Sequence, residues 1–396
     1  MLRAGNVRLL YAIRFFQHLI PAYVIERLYW EQRGMTIQMV VYAEMIFAAT
    51  IVLSELPTGI IADKWGRKRL IVVTALMGCL EFLILVFATE FWHFALVVFL
   101  AAIGNAAASG AETALLYDTL LAERKEREFE KILGRLNALD IAATILAALS
   151  GSLLAGHFGF EFNYWLSLGA MAVSLFLTAA LAEPVQESRK RERPIPIGEY
   201  VTTSLRFFRS NPGVALVLLS GMTMGAAVNY VDEFWQTHLD RLGIPVVLFG
   251  VFSAAIFLLR LPGSLFAYKL LERFGTRPML LTILGAMTVS FAWLAWSRDY
   301  GGLAALFLVS LFAGMIEPIA SGYLQHRIGS DMRATMGSFQ SLGENAVLML
   351  SGLGFGYYSS QYDIFGGFGF IAAMCGAFLL FFAFSSRNLI EREAFG

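Results

Sequence analysis

The sequence predicts an all-α membrane protein with twelve transmembrane helices in two pseudo-symmetric six-helix bundles. Three observations predict it. Apolar runs long enough to span a bilayer recur along the chain, the second six echo the first, and the basic residues gather on one side of the runs. Of 396 residues 58% are hydrophobic and 15% charged, and Phe alone contributes 34. A soluble protein keeps about a quarter of its residues charged, and a soluble helical bundle would need polar faces that these runs lack. The formal net charge is zero, which provides no field for nucleic acid.

A helix of about 20 apolar residues crosses a hydrocarbon core of about 30 Å. The runs predict helices at 9–30, 36–62, 70–89, 92–121, 136–156 and 162–182 in an N-terminal half, residues 1–182. A polar linker, 183–212, follows, with Arg189, Lys190, Arg191 and Arg193 before Pro194 and Pro196. The C-terminal half, 213–396, carries 213–236, 245–269, 278–297, 300–325, 335–359 and 365–386. The first run is interrupted by Arg14, Gln17 and His18 and has no small-residue cleavage site, so it reads as a retained helix. Cys79 and Cys375 fall inside predicted helices and read as small core residues. The five histidines lack metal-ligand spacing, and neither a metal nor a cofactor is expected.

An even number of spans places both termini on one side, and the Lys/Arg balance says which. One face holds 24 of the 30 basic residues, from Arg3 and Arg8 through the loops after helices 2, 4, 6, 8 and 10 to Arg387 and Arg392. The other holds Arg27, Arg33, Arg241 and Arg298, while Arg14 and Arg260 lie within helices. Both termini and the linker are therefore expected in the cytoplasm of a cell whose inner membrane holds the chain. The halves match at an offset of about 205 residues: Leu56-Pro57 with Leu261-Pro262, Ala62 with Ala267, and Glu112 with Glu317. With small gaps Gly66 matches Gly275, and Asp140 matches Glu344. Duplicated six-helix halves are the build of many secondary transporters.

After helix 2 the chain reads Leu56-Pro57-Thr58-Gly59-Ile60-Ile61-Ala62-Asp63-Lys64-Trp65-Gly66-Arg67-Lys68-Arg69. Gly59 suits close helix approach and Gly66 a tight turn, while Asp63 can accept from the free N–H groups that begin a helix. Arg67 and Lys68 can hold an anionic leaflet or pair with carboxylates. This loop resembles the signature of the major facilitator superfamily, of bacterial type, in which Gly59, Asp63, Gly66, Arg67 and Lys68 match the pattern. The resemblance implies that Asp63 meets helix 11 to hold the cytoplasmic side shut, and that helices 1, 4, 7 and 10 line the pathway. Two departures stand beside it. Helix 5 reads Ala147-Ala148-Leu149-Ser150-Gly151-Ser152, without the Gly-Pro of drug–proton antiporters, and Leu100–Gly104 of helix 4 lacks their arginine.

Charges inside a bilayer cost about 2.5–3.5 kcal/mol on insertion scales and so face a cavity or a partner. Arg14, Gln17 and His18 form one stripe with Pro21, and Asn105, Ser109 and Glu112 another. Helix 7 offers Asn229, Asp232, Glu233 and Gln236; helix 10 offers Ser310, Glu317, Ser321 and Gln325. The expected substrate- or proton-binding residues are Arg14, Gln17, His18, Asn105, Glu112, Asn229, Glu317 and Ser321. Glu112 and Glu317 lead, because an apolar cavity disfavours the charged form of a carboxylate, as a proton-coupling group requires. Their competing role is to pair with a cation such as Arg14. Asp232, Glu233 and Gln236 can equally be solvated at the outer end of helix 7. A gating set is also expected: Glu55 and Asp63 facing Glu344 and Asn345, and Arg260 reaching Asp140.

No phosphate-binding Gly-x-x-x-x-Gly-Lys-Ser/Thr loop or nucleophile–base cluster appears, which argues against an ATP-driven pump or an enzyme. The expected function is secondary transport of a small organic solute, with protons as coupling ion, the lipid bilayer as setting and a monomer as the unit. Phe, Met and Leu on the pathway helices point to efflux of amphipathic, drug-like compounds. Arg14 and the missing antiporter motif point to uptake or facilitated transport of an organic anion or nutrient. A non-transporting sensor or membrane-embedded enzyme completes the alternatives.

Overall fold

A computed structural model of the chain describes residues 4–108, 111–183, 206–325, 327 and 333–389. Within those stretches the side chains of 4, 55–65, 126, 321, 325, 333–338 and 388–389 lie outside the description. Most of the expected linker also lies outside it. The helices are α1 (Ala4–His18), α2 (Glu26–Gln32), α3 (Ile37–Trp65), α4 (Arg67–Phe87), α5 (Phe91–Ala108), α6 (Ala111–Ala122), α7 (Phe129–Phe158) and α8 (Phe160–Ala179). Then come α9 (Pro212–Arg241), α10 (Phe249–Phe274), α11 (Thr276–Trp296), α12 (Gly301–Gln325) and α13 (Arg333–Leu389). Among the described residues ten helical stretches are long and apolar enough to cross a membrane. One of them, Phe339–Arg387, holds two spans, and α1 with α2 makes the interrupted first, so twelve spans result. The chain forms two compact units, Met1–Arg191 with Ile244–Ala254, and Glu192–Gly243 with Ala255–Gly396.

In the first unit the opening span is broken where a continuous helix over 9–30 was predicted. Pro21 lacks an N–H and cannot continue the ladder, and a 3-10 turn, Pro21–Ile25, separates α1 from α2. Side chains satisfy the freed backbone. Asn163 donates to the carbonyls of Pro21 (3.0 Å) and Gly151 (2.8 Å), and the Ala22 N–H donates to Ser167 Oγ at 3.1 Å. Gly151 is needed here, since a Cβ would strike the Pro21 backbone. Irregular backbone at membrane depth persists only when so satisfied. Below it, Leu10, Ile13, Leu70, Ile71, Leu115, Leu116 and Leu136 bury one apolar core that fixes α1, α4, α6 and α7. Above it, Tyr29 stacks on Tyr164 at 3.9 Å, and Trp30 packs on Phe94 at 4.9 Å.

In the second unit small residues let helices meet backbone to backbone, the usual basis of packing in lipid. A Cβ on Gly263 of α10 would collide with the Leu311 carbonyl, and one on Gly314 of α12 with the Arg260 carbonyl. Pro318 lies inside α12 and leaves the Gly314 carbonyl without its helical donor. Ser264 Oγ replaces that donor at 3.0 Å. Tyr230, Phe234 and Phe368 gather on Phe355, Tyr230 stacked at 4.3 Å. The two spans of α13 part at Tyr362 and Asp363, which leave helical geometry. Arg241 at the end of α9 holds that turn through Asp363 Oδ2 at 2.7 Å.

Gly314→Val is expected to destabilise the protein by about 1–3 kcal/mol, the usual cost of overpacking. Its thermal unfolding midpoint in detergent should fall, and a midpoint equal to wild type would show that α10 and α12 can separate freely.

Candidate functional site

The first unit assembles a polar cluster from α1, α6 and α7. Arg14, Gln17 and His18 stand on the last turns of α1, just before the Pro21 break. Arg14 grips Asp140 of α7 with both faces of its fork: Nε donates to Oδ1 at 3.1 Å, and Nη2 pairs with Oδ2. His18 Nε2 lies 3.7 Å from Asp140 Oδ1. Gln17 and Glu112 of α6 lie close to this pair. The Arg14 and Asp140 side chains are 19% and 11% exposed, so the pair is largely withdrawn from solvent. A bidentate guanidinium–carboxylate pair is among the stronger and more directional polar contacts. Five of the ionisable and polar residues singled out in the sequence thus meet, although Asp140 was expected elsewhere.

Asp140, expected as the partner of Arg260, pairs with Arg14, and Arg260 pairs with Asp232 of α9, each within its own unit. Asp232 was read as near the outer end because α9 was predicted to stop at 236. The helix runs on to Arg241, which places Asp232 deeper and half-buried. Arg14 was also offered as a partner for Glu112, and Asp140 holds that place instead.

Of the remaining candidates, Asn105 and Glu317 are exposed, the latter beside Pro318 in α12. Asn229 is half-buried, and its Nδ2 finds no hydrogen-bond partner among the described residues. Glu344 is exposed and accepts from Gln340 of its own helix at 2.8 Å, while Asn345 donates to the Ser341 carbonyl at 2.9 Å. Ser321, Glu55, Gly59 and Asp63 fall on side chains outside the described residues.

The signature loop is built from both ends of the first unit. Gly66 adopts φ 89°, in the left-handed region where glycine is favoured. Glu183, after α8, then accepts from the N–H groups of Arg67 (2.8 Å) and Lys68 (2.9 Å), capping α4. Arg67 turns inward, pairing with Asp118 and donating to the Ala114 carbonyl at 2.5 Å. In the second unit Gly275 repeats the turn at φ 78°, and Arg277 donates to Ser386 at 3.0 Å. Sequence reasoning missed Glu183 and Asp118. It also missed the Arg27–Glu44 pair (2.8 Å) and Glu81, a buried acid alone in an apolar run. Their signal was visible, since a charge within such a run is exceptional.

Twelve membrane helices with ion pairs held between them define a polytopic membrane protein. The chain belongs to the Major Facilitator Superfamily, whose profile matches residues 9–347. It is similar to the bicyclomycin resistance protein homolog of Haemophilus influenzae, 23% identical over 284 residues that cover 69% of this chain and 68% of that protein. It is also similar to the class H tetracycline resistance protein of Pasteurella multocida, 21% identical over 330 residues, 80% of this chain and 77% of that one. Among solved structures, the nucleoside transporter NupG superimposes with a TM-score of 0.77 at 16% identity, covering 97% of this chain and 99% of its own. A D-xylose–proton symporter does so with a TM-score of 0.70 at 11% identity, covering 96% of each. At these identities the structures speak for the fold alone.

Removing one partner of a buried ion pair costs about 3–5 kcal/mol, because the other charge is stranded. Arg14→Gln should therefore lower the unfolding midpoint more than the double variant Arg14→Gln/Asp140→Asn does. Equal losses in the two proteins would show that Asp140 does not depend on Arg14.

Proposed function

We propose that the chain is a secondary active transporter that exports small amphipathic compounds by alternating access, driven by protons. The observation that supports this most is the α1–α6–α7 cluster, in which Arg14 already carries a carboxylate. With its charge answered by Asp140, Arg14 has less to offer an organic anion, which weakens the uptake reading that Arg14 first motivated. Glu112 lies beside it with no ion pair of its own among the described residues, so it is the acid of this cluster we assign to proton exchange. Resistance proteins among the relatives favour the same direction of transport. Glu317, its counterpart at the repeat offset, is the second coupling candidate.

In proteoliposomes with an imposed pH gradient, a transported substrate should drive proton movement in the wild type. Glu112→Gln and Glu317→Gln should each reduce it to background while the protein elutes and unfolds as before. Wild-type proton flux in both variants would rule out these two carboxylates as coupling groups. We further propose that both termini lie in the cytoplasm of a cell whose inner membrane holds the chain, on the strength of the basic loops. Reporter fusions at the two ends should both signal from inside, and a split result would refute it.

A further inference from the structure

At one membrane surface of the first unit α2 ends at Gln32, α4 at Phe87 and α7 at Phe158, and α8 begins at Phe160. Beside these ends opens a cleft of about 420 Å³, lined by Tyr29, Gln32, Arg33, Phe158, Phe160 and Glu161. Small-molecule sites span about 300–1,000 Å³, and the cleft falls in that range. Its floor is fixed. Tyr29 is buried, stacks on Tyr164 and donates to the Leu85 carbonyl at 3.0 Å. The Arg33 guanidinium lies over the Tyr29 ring at 5.0 Å.

The charges of the cleft are only loosely engaged. Arg33 reaches the Val86 carbonyl at 3.3 Å, the Ala88 carbonyl at 3.4 Å and Glu161 Oε2 at 3.5 Å. A well-made N–H···O bond is shorter, and Arg27 of the neighbouring turn holds its carboxylate at 2.8 Å. The Arg33 and Glu161 side chains are 24% and 58% exposed. An exposed pair of this kind is worth little by itself, so either partner can turn to a ligand. Glu161 would repel a simple anion and Arg33 a simple cation. The complement of the two together is a zwitterion.

The surroundings select its source. Phe158 forms one wall of the cleft and is 67% exposed, and its ring lies 5.0 Å from that of Phe162, which is also exposed. Phe87 and Trp165, both exposed, meet edge to face at 6.1 Å, and Trp92 stands exposed at the start of α5. Exposed aromatic rings at span ends settle at the headgroup level of a bilayer. The cleft thus opens at the depth of phosphate and amine groups, beside rings that acyl chains can cover.

We propose that this cleft binds the headgroup of a phospholipid bearing a primary amine, with the phosphodiester on Arg33 and the ammonium on Glu161. The guanidinium fork matches phosphate oxygens. A primary ammonium brings three N–H donors to the carboxylate, and a trimethylated amine brings none. On the orientation proposed above the lipid sits in the outer leaflet, but its binding depends neither on that orientation nor on transport.

Native mass spectrometry of purified, substrate-free protein, titrated with short-chain phosphatidylethanolamine or phosphatidylcholine, tests the site. The wild type should hold phosphatidylethanolamine the more tightly. Arg33→Gln should weaken that binding about tenfold or more, since charge-assisted hydrogen bonds are lost. Glu161→Gln should bind phosphatidylcholine as the wild type does and lose the preference between the two lipids. Its side chain is more than half exposed, so this variant serves as the check should Arg33→Gln fold poorly. Equal affinity of the wild type for both lipids, undiminished binding by Arg33→Gln, or a preference that survives in Glu161→Gln would overturn the proposal. So would glycerophosphoethanolamine, which has no acyl chains, binding as tightly as the lipid, because the site would then take a soluble solute. Neither substrate nor pH gradient is present, so a negative result in the proteoliposome assay leaves this outcome unaffected.

Discussion

A guanidinium inside a bilayer has no water to turn to, and this constraint organises both units of the chain. Arg14, Arg27, Arg67 and Arg260 each find a carboxylate on another helix of the same unit: Asp140, Glu44, Asp118 and Asp232. Each pair ties together spans that apolar packing alone would hold only by dispersion and small-residue contacts. In the pairs of Arg14, Arg27 and Arg67 no side chain is more than 19% exposed, so neither partner can be discarded without stranding the other. Paired charges therefore serve as the registration marks of the fold.

The backbone shows the same economy of satisfaction. Pro21 and Pro318 each break a helical ladder, and in each case a polar side chain from a neighbouring helix meets a carbonyl at the break. Asn163 meets that of Pro21 itself, and Ser264 that of Gly314. Glycine stands opposite both breaks, Gly151 at Pro21 and Gly263 with Gly314 at the other, because the repair requires backbones to touch. The first break fixes where Arg14, Gln17 and His18 leave the helix, and so it positions the polar cluster.

Much of this was legible in the sequence. Twelve spans and the duplicated build followed from apolar length, and the signature loop named the family before any geometry was known. The stripe Arg14, Gln17 and His18 with Glu112 was legible too, since helical periodicity places such residues on a face. Partner choice was less so. Arg260 was matched to Asp140 through a symmetry argument, whereas the depth of each residue decides who meets whom. A span end misplaced from Arg241 to residue 236 was enough to hide Asp232. Glu183 and Asp118 lay beyond reach for another reason: their partners are far away along the chain, and no local pattern announces a cap supplied from more than a hundred residues on.

The interrupted first span bears on how the chain is made. Ala4–His18 covers 15 residues and carries Arg14, so it is too short and too polar to settle across a bilayer alone. The groups that complete it, Asp140 and Gly151 on the fifth span and Asn163 on the sixth, are synthesised only after three further spans. The opening span therefore reaches its final form only once the fifth and sixth spans are in place to answer Arg14 and the Pro21 break.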